Sequence, residues 1–326
     1  MILITSILCY CVLLQEPQKA PNCDEVASLV QSALEVNEPV AVEELPGGNS
    51  GNPLFLATRG ENRYIVRFFK SSAEAHHEIA CQRAASDAGY GPHVFAADPE
   101  QRYLIMEYVE PMTSDRYRAL GTTLSKMHHG DAFPTHEADI FARIHTDIDK
   151  LKKKESFGFI AVHLEQMMLK VEEAIPASEQ KAPCHNDLHP GNMIYSSGVY
   201  KIIDFGDAIQ DDPYFDLATV IVHNCFNQTQ EEAVLSSYFG RSILPEEKAK
   251  LTLMKQAVYI CYAARNFLAS NQPYDQNQES KFADQTFAQL IERFFWSGDD
   301  QDKEEIQPLS GYIFYREAVN HFQCRS

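Results

Sequence analysis

Three oxygen-bearing side chains in residues 185–207, HNDLHPGNMIYSSGVYKIIDFGD, have the spacing of a reaction centre. Asp187 and Asn192 belong to His185-x-Asp187-x-x-x-x-Asn192, and Asp204 opens Asp204-Phe205-Gly206 at the end of an apolar strand pattern. Phosphoryl transfer needs these residue types. One Asp orients the attacking hydroxyl and accepts its proton, while an Asn and a second Asp hold the metal ion that bridges the phosphates. A chance polar loop beside a buried strand is the competing account. Two motifs in this order, with Asp204 twelve residues after Asn192, weigh against it.

Such a loop needs rigid elements to hold it. Residues 24–36 place Val26, Leu29, Val30, Ala33 and Leu34 on one helical face, with Asp24 as the expected N-cap. Short β patterns follow at 40–46, 54–58 and 63–69, then an Ala-rich helix at 73–88 ending at Gly89, then strands at 94–97 and 103–109. Beyond Glu110-Pro111 the periodicity is helical at 114–129, 137–154, 160–175, 215–226, 230–239, 246–270, 279–297 and 311–323, with short strands near 193–195 and 199–203. The expected class is α+β: residues 1–23 stand apart, 24–110 form a small antiparallel β lobe with one crossing helix, and 111–326 form a larger helical lobe. A hinge near 107–113 and a ligand cleft between the lobes follow from that division.

The wording HNDLHPGN resembles the catalytic loop of the choline kinase and aminoglycoside phosphotransferase superfamily, and IIDFGD is similar to its metal-binding motif. The resemblance implies a protein-kinase-like bilobal fold using ATP and Mg2+. It makes Asp187 the catalytic base, Asn192 and Asp204 the magnesium ligands, and His185 a support of the loop. Glycines at 47, 48 and 51 let backbone N–H groups approach phosphate oxygens. GGNSGN is similar to the superfamily's GGxTN turn, which puts Gly48, Asn49, Ser50 and Asn52 at the nucleotide; a hairpin turn is the plainer meaning. Arg67 would contact the α/β phosphates, a task that suits its charge and bidentate fork. Glu78, or else Glu74, would be its acidic partner. Residues 103–109 resemble the hinge strand at adenine, with backbone groups near Glu107, Tyr108 and Val109 bonding the base and Met106 lining its pocket. Asp216, in DPYFDLA, would brace the catalytic loop.

Only nine residues separate Gly206 from Asp216, and no Ala-Pro-Glu motif follows, so a long platform for a protein substrate is not expected. A small acceptor is. The formal net charge of −18 disfavours nucleic acid and anionic membrane and suits a cationic partner. Choline-type relatives hold a quaternary ammonium with aromatic rings. Tyr259, Tyr262 and Trp296 are the residues here that the resemblance offers for that task, although rings at helical spacing also serve as plain core. The resemblance points to a cationic amino alcohol such as choline or ethanolamine, with an aminoglycoside or hydroxylysine as alternatives. An atypical protein kinase and a nucleotide-binding pseudokinase are readings of another class; the intact Asp187, Asn192 and Asp204 oppose the second.

The eight cysteines are scattered without a CxxC pair, which predicts buried, reduced thiols and a cytoplasmic protein. The apolar start MILITSILCYCVLL is too short to span a bilayer and has no Lys or Arg before it. His128, His129, His136, His145 and His163 show no metal-ligand spacing and are expected on the surface or in packing.

Overall fold

The computed structural model describes residues 20–46, 51–110, 116–133, 139–175, 181–270, 285–296 and 303–323. They form two compact units. One holds the described residues up to Ala75 with Phe95–Met106; the other holds His76–Val94 and the described residues from Glu107 onward.

In the first unit, helix α1 (Cys23–Ala33) precedes strands β1 (Ala41–Leu45), β2 (Leu54–Arg59) and β3 (Asn62–Phe68). With β4 (Val94–Asp98) and β5 (Tyr103–Glu107) they make a five-stranded sheet of order β1-β2-β3-β5-β4. The expected N-cap at Asp24 is corrected to Asn22, whose side chain accepts from Glu25 N–H while the Glu25 carboxylate accepts from Asn22 N–H. This reciprocal box satisfies two helix-end donors, which a cap one residue inside the helix cannot do. Antiparallel register pairs Leu45 with Leu54, so residues 46–53 connect β1 to β2. Pairing of Arg59 with Asn62 leaves the two-residue turn Gly60-Glu61, where Gly60 takes φ +57°. Alternation along β2 and β3 buries Phe55, Ala57, Tyr64 and Val66 beside Val26 and Val30 of α1.

Helix α2 (Ser72–Ala88) runs from the first unit into the second, and Gly89 ends it at φ +82°. The second unit then builds α3 (Tyr117–His128), α4 (Ile140–Lys152), α5 (Gly158–Ala174), β6 (Ala182–Cys184), β7 (Met193–Ser196), β8 (Val199–Ile202) and β9 (Ile209–Asp211). Helices α6 (Pro213–His223), α7 (Gln228–Phe239), α8 (Pro245–Ala269), α9 (Phe287–Trp296) and α10 (Lys303–Gln323) complete it. The three-residue pairing of β6 with β9 was not expected, and α10 begins eight residues before the expected 311. Helix α8 is buried on every side from Ala257 to Ala264, the mark of a central helix. Three of the five described cysteines, Cys81, Cys184 and Cys261, are buried thiols; Cys23 and Cys225 are half-buried. No helix among the described residues is long and apolar enough to cross a membrane.

Helix α3 meets α7 at Gly121, where an added Cβ would lie 2.1 Å from the Val234 carbonyl oxygen. The clash is with backbone, which cannot swing aside. Gly121→Ala is therefore expected to destabilise by about 2–3 kcal/mol through overpacking. Thermal denaturation would show it as a fall in Tm of roughly 3–4 °C; an unchanged Tm would contradict the packing described.

Candidate active site

The hairpin β7–β8 sets the distance between the two chemical motifs. Its turn, Ser197-Gly198, has both residues at positive φ, +51° and +84°, the form that matches strand twist. Register pairs Met193 with Ile202, which brings Ile203 N–H to 3.1 Å from the Asn192 carbonyl. Asn192 and Asp204 are thus neighbours across the base of the hairpin. Asp204 takes φ +63°, a sparsely populated conformation for a residue with a Cβ. At Gly206 an added Cβ would lie 3.7 Å from Asp204 Oδ1 and 3.9 Å from Glu78 Oε2, so a second carboxylate, from buried Glu78 of α2, approaches the same spot.

The loop from His185 to Asn192 is held by its own polar groups. His185 Nδ1 accepts from Asp187 N–H at 3.3 Å, and its Nε2 lies 2.9 Å from the Ile203 carbonyl. Asn192 Nδ2 donates to the Asp187 carbonyl at 2.8 Å. Beneath it lies fully buried Asp216. Its Oδ2 accepts from His185 N–H and its Oδ1 from Asn186 N–H, both at 2.7 Å, and His128 Nε2 is 3.1 Å from Oδ2. His128 Nδ1 in turn lies 2.9 Å from the Tyr238 hydroxyl. His128, Cys184 and Asp216 sit close enough together for a metal, but His128 and Asp216 already hold hydrogen-bond partners and burial keeps the Cys184 thiol protonated. The group is a brace.

The Asp187 carboxylate is 29% exposed. Tyr262 O–H donates to its Oδ1 at 2.6 Å, and Arg265 Nη1 is 3.5 Å from the same oxygen. Among the described residues Oδ2 has Asn192 Nδ2 at 3.4 Å and His189 Nε2 at 3.8 Å. Burial opposes ionisation, but Arg265, His189 and the Tyr262 hydroxyl outweigh it and hold the carboxyl below its usual range. Burial and the Asp187 charge push the Tyr262 phenol well above its ordinary value, so it stays a donor. Buried His223, whose ring centroid is 4.2 Å from that of Tyr262, is pushed down to about 3 by burial and is neutral.

The other expected site residues separate into groups. His185, Asp187, Asn192, Asp204 and Asp216 converge in the second unit as described. Asn52, in the first, donates to Glu74 at 2.7 Å. Arg67 is buried in the first unit, with its guanidinium 5.7 Å from the Phe69 ring centroid. Met106 is buried at the end of β5. Glu107 N–H is taken by the His93 carbonyl at 2.8 Å, so among the expected adenine contacts Tyr108 and Val109 follow a residue whose donor is occupied. Gly48, Asn49 and Ser50 lie outside the described residues, as does the side chain of Trp296. Tyr259 and Tyr262, expected to cage a cation, are both buried in a ring cluster: Tyr259 stacks on His321 at 5.0 Å and Tyr262 on Phe314 at 5.4 Å. Arg265 and His128 were not singled out from the sequence as site residues.

The five-stranded sheet and the helices that follow it make an α+β fold of the protein-kinase-like class. A family model, described as the phosphotransferase enzyme family, matches residues 41–247, more than half of the chain. The chain belongs to that family of phosphotransferases. Among solved structures, the choline kinase LicA from Streptococcus pneumoniae is similar at 20% identity and a TM-score of 0.62, covering 92% of this chain and 98% of its own. The Plasmodium vivax ethanolamine kinase is similar at 13% identity and a TM-score of 0.62, covering 93% and 91%. The spectinomycin phosphotransferase APH(9)-Ia, solved with ADP and spectinomycin, is similar at 13% and 0.60, covering 90% and 99%. No curated protein matches the sequence.

Proposed function

We propose that the protein transfers the γ-phosphoryl group of ATP to a hydroxyl of a small amino alcohol, with Asp187 as the base. The observation that carries this reading is the Asp187 carboxylate, held through Oδ1 and open at Oδ2, beside the joined pair Asn192 and Asp204. The acceptor O–H would give its proton to Asp187 Oδ2 as its oxygen bonds the γ-phosphorus and the bond to ADP breaks.

The donor set suits magnesium, which prefers oxygen ligands. The Asn192 amide nitrogen is turned to Asp187, leaving its carboxamide oxygen for another partner, and Asp204 is the neighbouring carboxylate. These two residues would hold the ion. When bound, it neutralises charge on the phosphate oxygens. By the family resemblance Arg67 would steady the phosphates, and the residues following β5 would meet adenine.

The acceptor reading rests on charge. Asp147, Asp187 and Asp207 are matched locally by Arg265, Arg143 and Lys150, so the charge that favours a protonated amine is the formal net charge of −18 carried by the whole chain. The packing of Tyr259 and Tyr262 supports no ring cage, so an ammonium that donates N–H bonds to carboxylates is favoured over a quaternary one. An amine of the ethanolamine type is expected to show a kcat/KM at least roughly tenfold above that of its trimethylated counterpart, the worth of one charge-assisted N–H···O bond that a quaternary nitrogen cannot make. A coupled ADP-release assay across amino alcohols, choline and aminoglycosides tests this. Choline turning over tenfold faster than ethanolamine would overturn the amine reading, and turnover only with neutral sugars would overturn a cationic acceptor altogether.

A further inference from the structure

We infer that Arg265 is a positioning residue for the reaction, fixing the catalytic-loop carboxylate through its Oδ1 so that Oδ2 alone meets the acceptor hydroxyl. The inference rests on the proposed phosphotransfer role of Asp187.

A half-buried arginine that follows directly on the buried run Ala257–Ala264 calls for charged partners. Arg265 has three, and each nitrogen serves a different one. Nη1 is 3.5 Å from Asp187 Oδ1, Nη2 is 3.0 Å from Asp207 Oδ2 and Nε is 3.9 Å from Asp147 Oδ2. The three carboxylates come from the catalytic loop, the segment just after Asp204, and helix α4. One side chain therefore ties the loop carrying Asp187 to the segment carrying Asp204. The planar guanidinium can point donors in three fixed directions, whereas a lysine ammonium at one point cannot.

Three residues earlier on the same face of α8, Tyr262 donates to the same Oδ1. Its ring is wedged by Phe314 and His223, and the Arg265 guanidinium lies 5.7 Å from its centroid. The Tyr262 hydrogen bond and the Arg265 ion pair both fall on Oδ1 and tether the carboxylate there, while its second oxygen carries no contact under 3.4 Å among the described residues. The far side of the assembly is pinned as well: the Asp207 carbonyl accepts from Arg143 at 2.9 Å and from Asn186 Nδ2 at 3.3 Å. A base that can rotate loses the near-attack geometry on which its rate depends.

The test compares wild type, Arg265→Lys and Tyr262→Phe, each also combined with Asp187→Asn, in ADP release with the best acceptor and in thermal denaturation. Arg265→Lys keeps the charge but loses the fan of contacts, and should lower kcat by about 10²-fold with KM for ATP within twofold. Tyr262→Phe keeps the ring and should lower kcat by roughly tenfold. In the Asp187→Asn background neither change should lower the residual rate further, because both act through the carboxylate that is gone. A merely structural role would lower the residual rate too, and that result overturns the inference. So does an Arg265→Lys enzyme within threefold of wild-type kcat at an unchanged Tm, while leaving the phosphotransfer reading in place. If wild type releases ADP with no acceptor, the phosphotransfer reading fails and the inference falls with it.

Discussion

Asp187→Asn is expected to lower kcat by about 10²–10⁴-fold, the contribution of a positioned general base. The substitution changes little else. An asparagine oxygen can still accept from Tyr262 where Oδ1 now does, at 2.6 Å, and still lie beside the Arg265 guanidinium, 3.5 Å away. The other position becomes an amide nitrogen, which takes no proton from an acceptor hydroxyl. It also faces Asn192 Nδ2, now a donor against a donor. The Tm should stay within a few degrees, and KM for ATP should be little changed, because the loss is made in the transition state. Steady-state kinetics beside a melting curve would check this. A variant retaining more than a tenth of wild-type kcat would remove Asp187 from the role proposed.

Asp216→Ala should produce the largest loss of stability, with loss of activity as its consequence. The carboxylate is fully buried and satisfies the N–H groups of His185 and Asn186 and faces His128 Nε2. Removing it leaves two buried donors of the catalytic loop unpaired and the His128–Tyr238 pair without its acid. Stranding such groups costs about 3–5 kcal/mol. In a chain of this size the Tm should fall by roughly 4–7 °C. Asp216→Asn, which keeps one acceptor oxygen, should fall by less. Equal melting of Asp216→Ala and wild type would mean the loop is held by something else.

The chemical motifs were legible because they are local. Thirteen residues from Asn192 to Asp204 contain a hairpin whose Ser197-Gly198 turn fixes its own register, so nearness in sequence became nearness in space. The sheet of the first unit was legible for the same reason: short alternating runs separated by glycine. Arg265 and His128 were not, because their partners lie far along the chain, and helical period says which face a residue occupies but not what packs against it. A signal for Arg265 existed. It is the single charge in YICYAARNFLA, a run otherwise suited to a central helix. The pairing of β6 with β9 spans three residues, too few for alternation to show. Helix α10 was expected from 311 but runs from Lys303 through Pro308 and Gly311, two residues that ordinarily mark a helix end. Gly311 has a packing reason instead, since a Cβ there would lie 2.7 Å from the Phe267 ring.

The tyrosines show the opposite error of scale. Tyr259 and Tyr262 lie on one helix with the spacing of a ring cage, and each is instead closed in by neighbouring rings. Tyr262 serves the carboxylate. This moves the weight of acceptor recognition from rings to charge, and with it the expected preference from quaternary to protonated amines.

The central claim is that the terminal phosphate of ATP moves to the hydroxyl of an amino alcohol. Phosphorus NMR of the full-length protein with ATP, magnesium and a panel of amino alcohols follows that transfer directly. The expected result is loss of the ATP γ resonance matched by a new phosphomonoester signal coupled to the acceptor's CH2–O protons, absent with Asp187→Asn. Growth of inorganic phosphate alone, or a phosphoester formed equally well by Asp187→Asn, would contradict the account.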